Sequence, residues 1–567
     1  MPPPKPAESL TAIASTVQWH VQYSLAHFMP EVILACGFLV VILLSAIGKS
    51  DTIQRGTIYL SAIVLAVAGY AAALQWHSLD TAHLKDWKGG TPIFPYTQTL
   101  FSPDVQKGEP VSGFGMAVVD NFSVYFKLLV SLSGILVLLM SLSSRELLAR
   151  TKRLGDYSSL LLGMTIGLFL MPAATDLITM YLSLELVSIA GYVLAGFSKD
   201  TRHGSEASLK YLMFGALSSG LMLYGFSLLY GVTGTTHIIA IRQVLALSPG
   251  THAGMNSLLL WLATVLVLAG IGYKISAVPF HFWTPDVYEG APTPVAAFLS
   301  VASKAAGMGL LIRFLLFTFP VGGALNLPLI NWPIVIAALS VITMTVGNMA
   351  ALLQSNLRRL LAYSSIAHAG YMLAGIAVGG AAGIVAIMVY LATYLFMQLG
   401  AFYAIMLIES KIGSEEIDDY RGLGSRSPLV AIALVVFLIS LTGVPLTAGF
   451  IGKFYLFTAI LTPNPSTHGL LWLWLAIAAI LNSIVSLYYY LRIVGAMFLK
   501  RPLRDITLRE TDVNLVDGQP RFSFALSQHL LLLCIAAPVI ASGIYFQPLI
   551  DFASGVVRFF NFENYHY

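Results

Sequence analysis

Charged residues are scarce in this sequence. Asp, Glu, Lys and Arg make up only 10% of its 567 residues, whereas soluble globular proteins have about 25%. The hydrophobic residues, 57% of the chain, occur in repeated apolar runs of about 20 residues, the length that crosses the apolar core of a bilayer. This composition excludes an ordinary soluble protein and predicts a polytopic membrane protein.

Cysteine and the common cofactor motifs are also nearly absent. Cys36 and Cys534 lie far apart in apolar runs, so the chain has no CxxC metal or redox pair. No GxGxxG or P-loop pattern for a nucleotide is present. We therefore expect no cofactor and no metal site in this chain. The net charge of +4 is too small to suggest nucleic-acid binding, and the N-terminus does not resemble a signal peptide.

Fourteen apolar runs are predicted to cross the membrane. Because a backbone in lipid must satisfy its own hydrogen bonds, each run is expected to be helical. We number the runs spans 1 to 14, at residues 30–48, 57–76, 120–142, 158–172, 175–198, 206–231, 258–283, 294–317, 332–353, 358–378, 384–409, 428–457, 470–499 and 523–546.

Basic residues in the loops orient the predicted bundle. One side has most of them: Lys49, Arg55, Arg145, Arg150, Lys152, Arg153, Lys199, Arg202, Arg358, Arg359, Lys411, Arg421, Arg426, Lys500, Arg501, Arg504 and Arg509. The other side has few: Lys85, Lys88, Lys107 and Arg242. The positive-inside rule makes the first side cytoplasmic. An even number of spans then places both termini outward, on the periplasmic side of a bacterial inner membrane.

We single out six of the ionisable residues within the predicted spans, where a charge is costly and therefore indicates function. They are Glu185, Lys210, Lys274, Lys304, His368 and Lys453. A buried carboxylate either pairs with a cation or takes up a proton, so a pair of Glu185 and Lys274 could be a proton site or a static salt bridge. Lys210 lies near a span end, where snorkelling also explains it, and His368 could be an ordinary core histidine. Lys127 and Arg313 lie near span ends and are expected to snorkel.

Spans 7 and 12 share an interruption near a lysine. Pro279 follows Lys274 by five residues, and a run rich in glycine and proline from Gly443 precedes Lys453. Interrupted helices in two halves of a chain are typical of transporters with inverted repeats. We therefore predict an N-terminal region (1–157, spans 1–3, with a long outward loop at 77–119), two inverted five-helix repeats (158–317, spans 4–8, and 318–499, spans 9–13) and a C-terminal region (500–567, a cytoplasmic loop and span 14).

Three stretches resemble a known family. "GYKISAVPFHFWTPDVYEGAPTPVAAFLSVASKAAG", "LRRLLAYSSIAHAGYML" and "GVPLTAGFIGKFYLF" are similar to the proton-conducting membrane modules of respiratory complex I and of Mrp-type antiporters. The form WTPDVYEGAP, with ASK in the next span, resembles the subunit N branch of NADH-quinone oxidoreductase. The resemblance is strongest over residues 158–499, and the absence of a long lateral helix after span 14 also favours that branch. The loop 77–119 is longer than the family usually has.

The resemblance implies a function and a set of residues. The family couples quinone reduction elsewhere in the complex to proton translocation along a buried polar axis. Its axis positions fall on Glu185, Lys210, Lys274, His281, Lys304, His368 and Lys453. It implies no redox centre in this subunit, flavin and iron–sulfur clusters in partner subunits, and subunits K and M as neighbours in the membrane.

The sequence leaves two other kinds of function as alternatives. An Mrp-type cation/proton antiporter, or the membrane subunit of a membrane-bound hydrogenase, shares the fold. A haem- or quinone-binding electron carrier is less favoured, because haem of the cytochrome b type needs histidine pairs on facing helices. His281, His368 and His529 are single and scattered.

Overall fold

Helices form nearly all of the regular structure. The computed structural model describes residues 25, 27–82, 98–100, 105–106, 109–110, 115–149, 153–198, 201–247, 256–319, 331–462, 469–501, 513–516 and 519–557. Thirteen helices in this part of the chain are long and apolar enough to cross a membrane, and two shorter apolar helices together make span 12. The prediction of an all-α polytopic membrane protein is confirmed.

The predicted spans agree closely with helices. In chain order these are Met29–Ile47, Asp51–Ala82, Asn121–Ser141, Leu154–Ala173, Leu177–Ala195, Arg202–Thr233, Asn256–Ile275, Thr293–Phe298 with Leu299–Ser303 and Lys304–Thr318, Trp332–Leu352, Leu357–Val378, Gly380–Ile412, Pro428–Thr442 with Ala448–Leu461, Gly469–Leu499 and Leu526–Ile544. Short helices outside the spans are Arg145–Leu148, Ile238–Leu247, Trp283–Gly290, Ile417–Tyr420, Leu423–Arg426 and Gln547–Val557.

Spans 7 and 12 are interrupted where the sequence predicts it. The helix of span 7 ends at Ile275, eight residues earlier than predicted, because Ser276 has a positive φ of 62° and Pro279 follows. The first half of span 12 ends at Thr442, and Gly443 has a φ of 89°. Span 8 contains a further irregularity that the sequence did not indicate. Leu299–Ser303 is a π-helical turn that ends immediately before Lys304, and such turns often occur at functional sites.

The polar connections contain small elements that the sequence did not predict. Short strand pairs join Gln98–Leu100 with Ala117–Val119, Val105–Gln106 with Glu109–Pro110, and Val513–Val516 with Gln519–Phe522. Most of the loop 77–119, including Lys85, Lys88 and Lys107, lies outside the described residues, as do Arg150, Lys152, Lys199, Arg504 and Arg509.

The core of the bundle is centred on spans 8 and 10. In the most apolar 18-residue stretch of each helix, all residues are buried in span 8 and 89% are buried in span 10. Span 10 packs closely on span 9, since a side chain on Gly370 would come within 2.5 Å of the Met344 backbone nitrogen. The two most enclosed helices are therefore those that contain Lys304 and His368.

The prediction that Lys127 and Arg313 snorkel is wrong. The Arg313 side chain is 0% exposed and donates two hydrogen bonds to Asp120, at 2.7 and 2.8 Å. The Lys127 side chain is also buried and forms a 2.7 Å ion pair with Glu31 of span 1. Both cations face neighbouring helices, and a buried charge of this kind persists only when it is paired. These pairs tie spans 1, 3 and 8 together.

Candidate functional site

Three lysines lie inside the helical bundle with almost no exposed surface. Lys274 and Lys304 are 1% exposed and Lys453 is 3% exposed. Within the described part of the chain, none of the three forms an ion pair. Their ammonium nitrogens instead donate to neutral hydroxyl and carbonyl oxygens. A buried lysine that no carboxylate holds in the charged form can lose and regain a proton at lower cost than a salt-bridged one.

Lys274 lies at the end of the continuous part of span 7. Its Nζ donates to Ser188 Oγ of span 5 at 3.3 Å. Glu185 lies one turn before Ser188 on the same helix face, is half-buried, and acts electrostatically on Lys274. The expected partners therefore face each other across spans 5 and 7, but a direct ion pair is not formed.

Lys304 occupies the centre of the bundle, directly after the π-helical turn of span 8. Its Nζ donates to the carbonyl oxygen of Ser365 at 2.6 Å and to the Ser365 hydroxyl at 2.5 Å. That hydroxyl also accepts a hydrogen bond from Tyr394 at 2.9 Å. Gly307, one turn further along span 8, packs against the side chain of Lys274. Spans 7 and 8 thus bring the first two lysines to adjacent surfaces.

His368 lies between the second and third lysines. It is one turn after Ser365 in span 10, and its Nδ1 is 2.5 Å from the hydroxyl of Tyr390. The charges of both Lys304 and Lys453 act on the ring. One nitrogen of this buried imidazole contacts the hydroxyl of Tyr390. In span 10 the residue lies between Ser365, which contacts Lys304, and Tyr371, which contacts Lys453. The hydrogen bond to Tyr390 fits an ordinary core histidine, and the position near both lysines also fits a proton-relay residue.

Lys453 lies beside the interruption of span 12. Its Nζ donates to the carbonyl oxygen of Thr442 at 2.7 Å and to Ser483 Oγ of span 13 at 2.9 Å, and it lies 4.9 Å from the centre of the Tyr371 ring. The Thr442 carbonyl is available because the first half of the helix ends there. Gly443 leaves room for the lysine, since a side chain at that position would come within 2.8 Å of Lys453 Cδ.

A polar cluster that the sequence did not reveal surrounds the third lysine. Asn348 of span 9 donates to Tyr371 at 3.3 Å and to Asn482 of span 13 at 3.1 Å, and it accepts from Tyr489 at 3.0 Å. Tyr490 is hydrogen-bonded to Ser364. Several hydroxyl and amide groups therefore lie within the second half of the bundle. The signal in the sequence is the spacing of asparagines and tyrosines inside otherwise apolar spans.

Lys210 lies apart from the buried lysines. It is 37% exposed and forms ion pairs with Glu206 at 2.7 Å and Asp286 at 2.5 Å. Asp286 also accepts from Arg359 at 2.8 Å. Burial opposes the ionised form of Asp286, but hydrogen bonds from Lys210 and Arg359 outweigh it and lower the pKa of this carboxyl. The network therefore stabilises the fold above the ordinary pKa of an aspartate, and that contribution is lost as the pH falls through the lowered value.

His281 is buried within the turn that follows the interruption of span 7. Its ring lies 4.5 Å from that of Phe282. Among the described residues, no hydrogen bond joins it directly to Lys274 or Lys304. The structure therefore places this predicted residue between the two helices that contain the lysines, without a direct connection to either.

Two consecutive arginines, predicted only as markers of the cytoplasmic side, hold the segment between spans 7 and 8. Arg359 forms ion pairs with Asp286 and Glu289 of the helix Trp283–Gly290. Arg358 donates to the Ala291 carbonyl at 3.1 Å and forms an ion pair with Glu415. Span 10 therefore contacts the Lys274–Lys304 connection with its first turn and Lys304 itself with Ser365, two turns later.

Comparison with known proteins shows the family of this chain. The family model described as NADH:quinone oxidoreductase/Mrp antiporter, TM, matches residues 174–482, more than half of the chain. The NADH-quinone oxidoreductase subunit N 2 of Chloroherpeton thalassium is 45% identical, covering 82% of this chain and 86% of the relative. Subunit N of Chlorobium chlorochromatii is 41% identical and covers 97% of both chains.

A solved structure is similar over almost the whole chain. A chain of respiratory complex I from Thermus thermophilus with bound aureothin superposes with a TM-score of 0.68 at 29% identity, covering 93% of this chain and 100% of that one. Sequence identity, family model and fold thus lead to the same assignment. This chain belongs to the NADH:quinone oxidoreductase/Mrp antiporter family and, within it, to subunit N of NADH-quinone oxidoreductase.

Proposed function

We propose that this chain is a proton-translocating membrane subunit of an NADH-quinone oxidoreductase. Quinone reduction elsewhere in the complex would drive protons along a buried path that includes Lys274, Lys304, His368 and Lys453. The observation that carries the proposal is that these groups follow one another across spans 7, 8, 10 and 12, each hydrogen-bonded to neutral groups. The names of the relatives favour this function over that of an Mrp-type antiporter.

Glu185 is proposed to control the first lysine. When it approaches Lys274, the carboxylate favours the ammonium form, and when it withdraws, burial favours the neutral amine. A released proton would be taken up towards Lys304 and then His368, whose ring suits proton relay because one nitrogen can accept a proton while the other releases one. The proton would leave the path beyond Lys453. The order of these steps is part of the proposal.

The remaining predicted site residues have different proposed roles. Lys210 is ion-paired at the edge of the bundle, which supports a role in positioning the helix Trp283–Gly290 more than one in carrying protons. His281, buried at the break of span 7, is proposed to continue the path from Lys274 towards span 8.

We propose the following surroundings for the subunit. The subunit lies in a bacterial inner membrane with both termini outward, and subunits K and M are its neighbours. Spans 4–8 and spans 9–13 are two inverted repeats, at residues 158–317 and 318–499. The subunit has no redox centre of its own, and the flavin and iron–sulfur clusters belong to other subunits. In the described part of the chain, no three His, Cys, Asp or Glu side chains are grouped as a metal site requires.

The proposal is tested by substituting the two residues of the first proposed proton-transfer step, Lys274 and Glu185. Lys274→Ala and Glu185→Ala are each expected to reduce proton pumping by sealed inverted membrane vesicles about tenfold or more, since a positioned proton-transfer group contributes at least that much. NADH oxidation by an artificial acceptor, which bypasses the membrane subunits, is expected to be unchanged.

Lys500→Ala is the matched control, because this lysine is half exposed outside the spans. It is expected to pump normally. Full pumping by either Lys274→Ala or Glu185→Ala, in vesicles with normal amounts of the assembled complex, would refute the proposal.

A further inference from the structure

An apolar groove opens between span 3, span 11 and the C-terminal helix Gln547–Val557. Its volume is about 150 Å³. Tyr125 and Leu132 line it from span 3, Ala392 and Phe396 from span 11, and Leu549 and Phe552 from the C-terminal helix. The hydroxyl of Tyr125 is directed away from the solvent to the carbonyl oxygen of Met388. The lining therefore offers hydrocarbon and almost no hydrogen-bonding groups.

The groove lies at the depth of one bilayer leaflet. Counted from Asn121, where the helix of span 3 begins, Tyr125 and Leu132 lie about 6 and 16 Å along the axis at 1.5 Å per residue. Half of the hydrocarbon core is about 15 Å thick. The groove thus extends from near the membrane surface towards the bilayer centre, and Leu132, which is 39% exposed, marks its inner end.

The C-terminal helix has the form of a helix that lies at a membrane surface. Gln547 and Asp551 are exposed and hydrogen-bonded to each other, while Ile550 and Ala553 are buried against the bundle. Phe552 stacks on Trp76 with 4.5 Å between ring centroids. Aromatic rings of this kind are enriched at the boundary between headgroups and hydrocarbon, and the apolar face of this helix packs on the bundle beside that boundary.

Size and chemistry identify the occupant. The lining offers almost no polar group to hold an ordered water, and a helix of a partner subunit, about 10 Å across with its side chains, is too wide for the groove. We propose that the groove binds one acyl chain of a bilayer phospholipid, whose headgroup lies beside the C-terminal helix.

The test measures whether a chain is retained in the groove. The assembled complex is incorporated into vesicles of phosphatidylethanolamine that has a diazirine in the middle of one acyl chain, then re-purified in detergent and irradiated. Mass spectrometry of the digested subunit is expected to show adducts on the residues around Leu132 and Phe396. The absence of adducts at both places would overturn the proposal.

Substitutions distinguish lipid binding in the groove from ordinary lipid contact elsewhere on the surface. Ala392→Phe fills the groove and is expected to remove most of the labelling, and Leu132→Trp provides a second filling variant if the first does not assemble. Leu217→Phe, on the exposed face of span 6, is the control and is expected to keep the wild-type adducts. Undiminished labelling in an assembled filling variant, or equal loss in the control, would contradict a specific site.

Discussion

Lys304 and Lys453 donate to backbone carbonyl groups at 2.6 and 2.7 Å, and Lys274 to a serine hydroxyl. Both the amine and the ammonium forms can donate in this way, so the hydrogen bond survives a change of charge. A carboxylate partner would instead favour the ammonium form strongly. Buried lysines with neutral hydrogen-bond partners therefore fit proton transfer. Among the described residues, a carboxylate, Glu185, acts on Lys274 but not on Lys304 or Lys453.

Tyr390 is expected to position His368. Because its hydroxyl holds Nδ1 at 2.5 Å, Tyr390→Phe frees the ring to rotate and to change tautomer. We expect proton pumping to fall about two- to tenfold, the effect of losing one buried hydrogen bond worth roughly 0.5–1.5 kcal/mol, and the pH dependence of pumping to shift.

Tyr488→Phe, on an exposed face of span 13, serves as the control, measured in the same vesicles. A pumping rate and pH profile identical to wild type in Tyr390→Phe would show that the tyrosine does not hold a functional ring.

Interruptions of the membrane helices determine which backbone groups the buried lysines can contact. The end of the first half of span 12 at Thr442 makes a carbonyl oxygen available inside the bundle, and Lys453 of the second half donates to it. The break of span 7 comes one residue after Lys274, and the π-helical turn of span 8 ends just before Lys304. Non-helical backbone at membrane depth is tolerated where it is buried in protein or lines a cavity. The π-helical turn of span 8 is entirely buried, whereas the breaks of spans 7 and 12 leave Phe282 and Leu446 exposed at the surface of the chain.

Gly443→Ala tests the role of the break in span 12. Its cost has two parts: a positive φ of 89°, which disfavours any residue with a Cβ by about 1–2 kcal/mol, and a 2.8 Å approach to Lys453 Cδ. We expect the variant to assemble less well and to pump severalfold more slowly per assembled complex.

Gly413→Ala separates the two parts, because Gly413 has a similar φ of 77° and open space around it. It should lose stability in a thermal unfolding measurement and yet pump normally per complex. Equal pumping defects in the two variants would mean that strain alone, not displacement of Lys453, is responsible.

The first and last described helices indicate how the whole molecule is oriented across the membrane. The Glu31–Lys127 and Asp120–Arg313 pairs hold spans 1, 3 and 8 together near one surface, and the C-terminal helix packs on span 3 near the same end. The loops at the other surface contain Arg421, Lys500 and Arg426, the basic residues expected in the cytoplasm. The start of span 1 and the C-terminal helix Gln547–Val557 therefore lie on the side that we propose to be outward.

Labelling of introduced cysteines tests this orientation. In a background without Cys36 and Cys534, Asp551→Cys should react with a membrane-impermeant maleimide in right-side-out vesicles, and Lys500→Cys should react only in inverted ones. Both positions are exposed. The opposite pattern would invert the proposed topology.

Apolar run length predicted all fourteen spans, because hydrocarbon thickness and backbone hydrogen bonding leave few alternatives. Pro279 and Gly443 likewise predicted the two breaks, since proline cannot donate a helical hydrogen bond and glycine permits the positive φ at which a helix can end. The pairing of side chains was predicted less well. Lys127 and Arg313 were expected to snorkel, yet they face Glu31 and Asp120. Which neighbour a residue meets depends on how each helix is rotated about its axis, and packing determines that rotation.

The most direct test of the account is proton pumping by Lys304→Ala, because this lysine joins the Lys274 surface of the first half to Ser365 and His368 of the second. We predict that sealed inverted vesicles with normal amounts of the complex oxidise NADH with an artificial acceptor at the wild-type rate, and that their proton pumping falls about tenfold or more. Pumping at the wild-type rate would contradict the claim that protons cross this subunit along the lysine row.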